Sequence, residues 1–162
     1  SSSFSGINLL EIALSWNLAK TYQNVMTITP GTLQEMTRSY LRRWDIQNVL
    51  TILRGKDQRL PKGRIKEVLI PAGELDREFL DRLLTEDTND TVVAALKDWR
   101  LYPVLSKEYP AAVESGSFSR LENELYKQFY TEIISTGQTV KGGMEFLEYI
   151  NLDIDVNLLP LD

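Results

Sequence analysis

The chain has 162 residues, of which 43% are hydrophobic and 25% are charged, and its formal net charge is −5. Cysteine and histidine are both absent, which excludes a disulfide framework, thiolate chemistry, histidine-dependent catalytic triads and histidine-ligated metal sites within this chain. We expect one domain with a substantial hydrophobic core, to which only carboxylate, lysine, tyrosine or cofactor chemistry remains available.

The N-terminal part is predicted to be a short linker followed by a long apolar helix. Residues 1–6 are rich in serine and lack the features of a signal peptide, so we interpret them as a linker or an artificial junction. Residues 7–28 carry two apolar stripes at helical spacing. Such a helix is predicted to lie centrally in a bundle or to need a further partner. No apolar run approaches the roughly 18 residues of a membrane-spanning helix.

The second predicted helix covers residues 32–55, and the rest of the chain is organised around it. Thr32 and Glu35 have the spacing of a capping box, and Gly55 follows basic residues at the expected C-terminus. Two apolar faces run along this helix, so we expect it to be buried from two sides. Because the break before it is short, it is predicted to pack antiparallel to the first helix.

The remaining chain is predicted to form short helices and then a further pair of longer ones. They cover residues 62–69, 75–84, 89–99, 102–113, 118–134 and the stretch after Gly142 and Gly143. We expect Pro110 to interrupt the fourth of these, a capping box of Ser119 and Glu122 to open the fifth, and Gly137 to end it. No run alternates clearly between apolar and polar residues, so no strand is predicted. The predicted fold is all-α, a bundle of two long antiparallel helices plus several short helices, within one domain over residues 7–150.

The C-terminal residues 151–162 resemble the middle of the 32–55 helix. Both segments place an acid, an apolar residue and an asparagine followed by an aliphatic residue in the same order. We therefore predict that the chain is one unit of a repeated helical domain. Residues 151–162 would then be the truncated start of a further repeat.

Three local motifs resemble known sites, and two of them lack a required part. Residues 137–143 have the glycine spacing of a P-loop without its Lys-Ser/Thr pair. Residues 153–157 match the start of a calcium loop, but Leu158 stands where glycine is required. Asn89 begins a glycosylation sequon that is better interpreted as a helix cap. These motifs predict no cofactor and no metal site.

Two polar features of the 32–55 helix need an explanation. Asp45 and Asn48 lie one turn apart on a closely packed helix. Such a pair forms a polar site or, more often, satisfies backbone groups of a neighbouring segment. Trp44 is interpreted as a packing residue.

Positive charge is concentrated between Arg38 and Lys66, where nine Lys and Arg residues stand against Asp45 and Asp57. This segment therefore carries +7 and the remainder of the chain −12. It is interpreted either as a solvated basic helix end or as a docking surface for an acidic partner. It lacks interleaved exposed aromatic residues, so nucleic-acid binding is not expected.

Residues 40–56, YLRRWDIQNVLTILRGK, resemble the C subunit of archaeal and bacterial V-type (A-type) ATP synthases and its eukaryotic relative, the d subunit of the vacuolar ATPase. The family motif includes Trp44, Asp45, Asn48 and Gly55, which we assign structural roles. Further similarity lies at residues 69–75 (LIPAGEL), 92–96 (VVAAL) and 121–130 (LENELYKQFY). Members of this family are longer and contain three similar helical domains, so the chain resembles an internal fragment.

The resemblance implies a non-catalytic, central-stalk role without a cofactor. In this family the C subunit is a socket on the membrane-embedded proteolipid ring for the shaft formed by the D and F subunits, and it transmits torque between them. Its expected location is the cytoplasmic side of the membrane, bound peripherally through the ring. On this hypothesis the candidate partner interface comprises Arg42, Arg43, Arg54 and Lys56.

Two other functions stay open at this point. The first is a freestanding helical scaffold or adaptor that binds other proteins. The second is an enzyme that uses carboxylates or a bound cofactor. Because further domains of the family would cover parts of its surface, the isolated chain could also form an artificial dimer through exposed apolar patches.

Overall fold

The structure is a computed structural model that describes residues 28–150. The predicted linker, nearly all of the first helix and the predicted further repeat lie outside the described residues. The predicted antiparallel packing of the first helix on the second therefore lies outside them too. Between residues 28 and 150 every regular element is a helix, which confirms the all-α prediction. In chain order the helices are α1 (Pro30–Leu41), α2 (Arg43–Asp57), α3 (Lys62–Glu67), α4 (Arg77–Thr85), α5 (Asn89–Ala95), α6 (Tyr102–Ser115), α7 (Ser119–Thr139) and α8 (Gly143–Tyr149).

Helices α1 and α2 replace the single helix that was predicted over residues 32–55. They are separated at Arg42. The N-cap of α1 is Thr29, whose hydroxyl accepts the Thr32 N–H at 3.2 Å, and Pro30 occupies the first turn, where its missing N–H costs nothing. The predicted capping box of Thr32 and Glu35 was therefore wrong. The Thr32 hydroxyl instead donates to the carbonyl of Lys141, at 3.0 Å, and ties α1 to the turn before α8.

The C-terminus of α2 lies beyond Gly55, so the prediction that Gly55 ends the helix was wrong. A Cβ on Gly55 would lie 2.7 Å from the Ile65 side chain, so this glycine permits close packing of α3 on α2. The helix ends in a Schellman motif, in which Leu60 N–H donates to Gly55 O at 2.9 Å and Arg59 N–H to Lys56 O at 3.0 Å. Arg59 has the left-handed backbone conformation, with φ of +59°, that this motif requires.

Two other predicted helix breakers do not break their helices. Helix α6 continues through Pro110, because Leu105 and Ala112 on either side of it are anchored in the core, and only one backbone hydrogen bond is lost. Helix α7 continues past Gly137. A Cβ on Gly143, at the start of α8, would lie 2.4 Å from the Gly137 carbonyl oxygen. This glycine pair therefore permits the close approach of α8.

The predicted capping box of Ser119 and Glu122 was also wrong. The N-cap of α7 is Phe118, whose side chain makes no capping bond, and the Ser117 hydroxyl accepts the Ser119 N–H at 3.3 Å. Ser119 is instead the first residue of the helix itself, so its hydroxyl is one position too late to cap the free N–H groups of the first turn.

Helix α2 is the centre of the described structure. It packs against α1, α3, α4, α5 and α7. Its residues Ile46, Val49, Ile52 and Leu53 are all 0% exposed. The prediction that this helix is covered on more than one side is confirmed, and the position of every other element is defined relative to it.

The conformation of Arg59 generates a stability prediction. A non-glycine residue in the left-handed region costs roughly 1–2 kcal/mol, and glycine also makes the unfolded chain more flexible, by roughly 0.4–1 kcal/mol. We expect Arg59→Gly to raise the free energy of unfolding by up to about 1 kcal/mol. The matched control is Arg64→Gly within α3, which should lower it by about 0.5–1 kcal/mol. Both are measured by urea denaturation, and a loss of stability in both variants would contradict the prediction.

Candidate partner-binding surface

Asp45 and Asn48 hold an irregular segment, residues 70–75, onto helix α2. The Asn48 amide donates to the Ile70 carbonyl at 2.7 Å and accepts the Ile70 N–H at 2.9 Å. The Asp45 carboxylate accepts the N–H of Glu74 at 2.9 Å and of Leu75 at 3.0 Å, one on each oxygen. These bonds satisfy backbone groups that no helix satisfies, because the segment lies between α3 and α4. We name this arrangement the α2 clamp.

The α2 clamp is closely packed and almost completely buried. Asp45 and Asn48 are each 2% exposed. Burial raises the pKa of Asp45 to about 6, while the N–H groups of Leu75 and Glu74 lower this pKa and the Glu74 carboxylate raises it. A Cβ on Gly73 would lie 2.2 Å from an Asp45 carboxylate oxygen, so the segment can approach this closely only with glycine there.

Trp44 lies beside the clamp on the same helix and is half-buried. Its indole N–H is buried and has no hydrogen-bond acceptor among residues 28–150. The four motif residues that were assigned structural roles from sequence all lie on α2. They are Trp44, Asp45, Asn48 and Gly55.

Two of the four predicted interface residues form salt bridges within the chain. Arg42 Nε donates to Glu74 Oε1 at 2.7 Å, which places this ion pair directly over the α2 clamp. Arg54 pairs with Glu122 of α7, with side chains that are 39% and 31% exposed. Exposed salt bridges of this kind each contribute about 0–1 kcal/mol to stability. They nevertheless direct the two guanidinium groups along the surface, towards Glu74 and Glu122.

The other two also have partners inside the chain. Arg43 donates to the Tyr40 hydroxyl at 2.9 Å. Separately, the rings of Tyr126 and Tyr130 on α7 lie next to each other, with centroids 6.2 Å apart. Lys56 donates to the carbonyls of Leu84 and Glu86 at 3.1 and 2.5 Å. It therefore satisfies acceptors at the C-terminus of α4, a position where a cation is favoured.

A concentration of exposed positive charge lies at the turn that follows α2 and on α3. Arg59, Lys62, Arg64 and Lys66 are all exposed, and we name these four residues the basic corner. Lys66 pairs with Asp81 of α4, at 3.2 Å. In the sequence these residues belong to the basic segment, for which a docking surface was one of two interpretations. The four residues then named as the candidate partner interface did not include them.

No catalytic or metal-binding arrangement is visible in the described part of the chain. Residues 28–150 contain no group of three acidic side chains that could hold a metal ion. A cavity of about 620 Å³ between α1 and residues 72–74 has Arg38 and Glu74 in its wall but no paired carboxylates. Among these same residues, no helix is long and apolar enough to cross a membrane.

The sequence comparisons decide the family. The family model described as "ATP synthase (C/AC39) subunit" matches residues 1–159. The chain belongs to this family. This confirms the resemblance that was inferred from residues 40–56.

Several relatives are named as the C subunit of an A-type ATP synthase. The protein from Archaeoglobus fulgidus is 32% identical over 153 residues, which are 94% of this chain and 43% of the relative. That from Methanosarcina acetivorans is 36% identical over 158 residues, 96% of this chain and 42% of the relative. The chain thus spans less than half the length of these relatives. No solved structure matches it at a significant level.

The close approach of Gly73 to Asp45 generates the second prediction. Gly73→Ala forces the carboxylate away from the two N–H groups that it accepts, so we expect a loss of about 1–3 kcal/mol in the free energy of unfolding. The matched control is Gly63→Ala, where no atom lies within 4 Å of the added methyl group. It should be neutral or slightly stabilising. Equal effects of the two substitutions in urea denaturation would contradict the α2 clamp.

The raised pKa of Asp45 generates the third prediction. Its pKa is about 6 in the folded protein against an ordinary value of 3.8, so the folded state binds this proton more tightly than the unfolded chain. The protonated Asp45 side chain therefore contributes fully to the free energy of unfolding below about pH 4, and this contribution is lost as the pH rises through about 6. The total loss in the free energy of unfolding is about 3 kcal/mol.

Asp45→Asn has no such proton and lacks this pH dependence. We expect the stability of Asp45→Asn relative to the wild type to increase between about pH 4 and 7. Urea denaturation at several pH values measures this difference. Parallel pH profiles for the two proteins would show that Asp45 does not titrate in this range.

Proposed function

We propose that this chain is part of a non-catalytic C subunit of a V-type or A-type ATP synthase, which couples the membrane proteolipid ring to the D–F shaft. The observation that carries the proposal is the family match over residues 1–159, together with relatives named as the C subunit of an A-type ATP synthase. The proposed role requires no cofactor. The whole protein would be peripheral to the membrane, on the cytoplasmic side, and held there by the ring.

The structure of the α2 region suits the transmission of torque. A coupling part must resist deformation, and close-packed protein interiors have low compressibility. Helix α2 contacts five other helices. The α2 clamp also fixes the segment between α3 and α4 by four hydrogen bonds to two buried side chains. These features support a stiff unit.

We further propose that Arg42, Arg43, Arg54 and Lys56 lie at or near an interface with the shaft or the ring. Their intramolecular bonds constrain how they could act. A partner carboxylate would join the existing ion pairs of Arg42 and Arg54 and extend them into a network. Networks of charges stabilise more than isolated exposed pairs.

The fourth prediction tests the proposed function by binding. The full-length protein that contains this chain should bind purified D–F shaft and purified proteolipid ring, and the affinity should fall as salt is raised from about 0.05 to 0.5 M, because screening weakens exposed charge pairs. The isolated chain is the matched comparison. Binding by the full-length protein alone would keep the role and place the principal interface on its other domains.

Failure of the full-length protein to bind either probe would contradict the coupling role. A freestanding scaffold would then be the better account of a helical protein without a catalytic arrangement among its described residues.

A further inference from the structure

We propose that the basic corner, together with Leu60 and Val68, is a docking surface for an acidic segment of another protein in the same complex. This inference rests on the proposed function, because that function supplies the assembly in which such a partner occurs. It concerns a surface different from the four residues that were predicted from sequence.

Positive charge is available to a partner at the basic corner. The four residues predicted from sequence are bonded within the chain, whereas Arg59, Lys62 and Arg64 are exposed at the turn and on α3. Between residues 58 and 68 the single acidic residue is Glu67. The chain as a whole carries −5, so this concentration of positive charge opposes the overall charge and attracts an acidic partner locally.

Exposed apolar residues accompany the basic corner along the chain. Leu60 is 44% exposed and Val68 is 63% exposed, and only Val113 and Met144 accompany them as exposed large hydrophobic residues between residues 28 and 150. Ile65, by contrast, points inward and is 2% exposed. Exposed apolar side chains interspersed along the chain with charged ones are the composition of a protein-binding patch, in which a dry centre is enclosed by a polar rim.

Arg59 occupies a strained conformation at the tip of the corner. The Schellman motif at the end of α2 favours glycine at this position, yet the chain has an arginine there with φ of +59°. The helix dipole favours a cation near this end, but Arg54 and Lys56 in the last turn already meet that preference. A local choice that conflicts with stability is typical of a functional position, and here it adds a guanidinium to the exposed basic surface.

A protein segment fits this surface better than a membrane does. Acidic residues adjoin the basic corner: Asp81 pairs with Lys66, and Asp87 and Glu86 lie close enough to act on Lys56. A broad anionic bilayer would meet these acids as well as the basic residues. A narrow acidic loop or helix end can contact the corner alone.

The experiment uses the full-length protein with three substitutions in the corner, Arg59→Glu, Lys62→Glu and Arg64→Glu. The matched control carries the same change of charge at three exposed lysines elsewhere, Lys97→Glu, Lys107→Glu and Lys141→Glu. Binding to purified D–F shaft, to purified proteolipid ring and to anionic phosphatidylglycerol vesicles is measured over a range of salt. Circular dichroism and thermal unfolding confirm that both triple variants are folded.

We expect the corner variant to bind the shaft or the ring about tenfold more weakly than the control does, with a smaller dependence on salt. Arg59→Gly provides a second, independent readout, because it should weaken binding although it does not reduce stability.

Equal affinity of the corner and control variants for both protein probes would overturn the docking surface while the proposed function survives. Loss of vesicle binding alone would also overturn it, in favour of a membrane contact. If the wild-type protein binds neither protein probe, the proposed function fails and the docking surface fails with it.

Discussion

The α2 clamp is the interaction on which the rest of the described structure depends. Residues 70–75 form no helix, and their backbone polar groups need partners once they are buried. Asp45 and Asn48 supply those partners from α2. The clamp sets the course of the chain from α3 to α4, and hence the position of both helices on α2. It also explains why polar residues occupy two places on a helix that is otherwise covered by apolar contacts.

The clamp carries a cost that is visible in its chemistry. A carboxylate that is 2% exposed has lost most of its hydration, and this loss is the largest influence on the pKa of Asp45. The two N–H donors and the nearby Arg42 offset part of it. Removing the carboxylate would leave both donors without a partner, which is costly in a buried site. Asp45 and Asn48 therefore hold residues 70–75 in place on α2.

The family assignment and the structure support the proposed function in different ways. The family match covers nearly the whole chain and indicates the type of complex. The structure shows which charged side chains are bonded within the chain and which are exposed. Arg42, Arg54 and Lys56 bind groups of their own chain, whereas the turn after α2 presents positive charge and apolar surface together.

The sequence by itself determined the all-α fold, the central position of the helix that contains residues 43–57, the exclusion of histidine and cysteine chemistry, and the family. The first three follow from composition and from the helical period of apolar residues, and the family follows from the resemblance of residues 40–56 to a known subunit. All of these are local properties of the chain. Tertiary structure alone decided where the helices end and which partner each charged side chain binds. Gly55 and Gly137 looked like helix ends, yet they lie where a neighbouring side chain or helix approaches closely. The partners Glu74 and Glu122 lie 32 and 68 residues from their arginines, a separation that only folding removes.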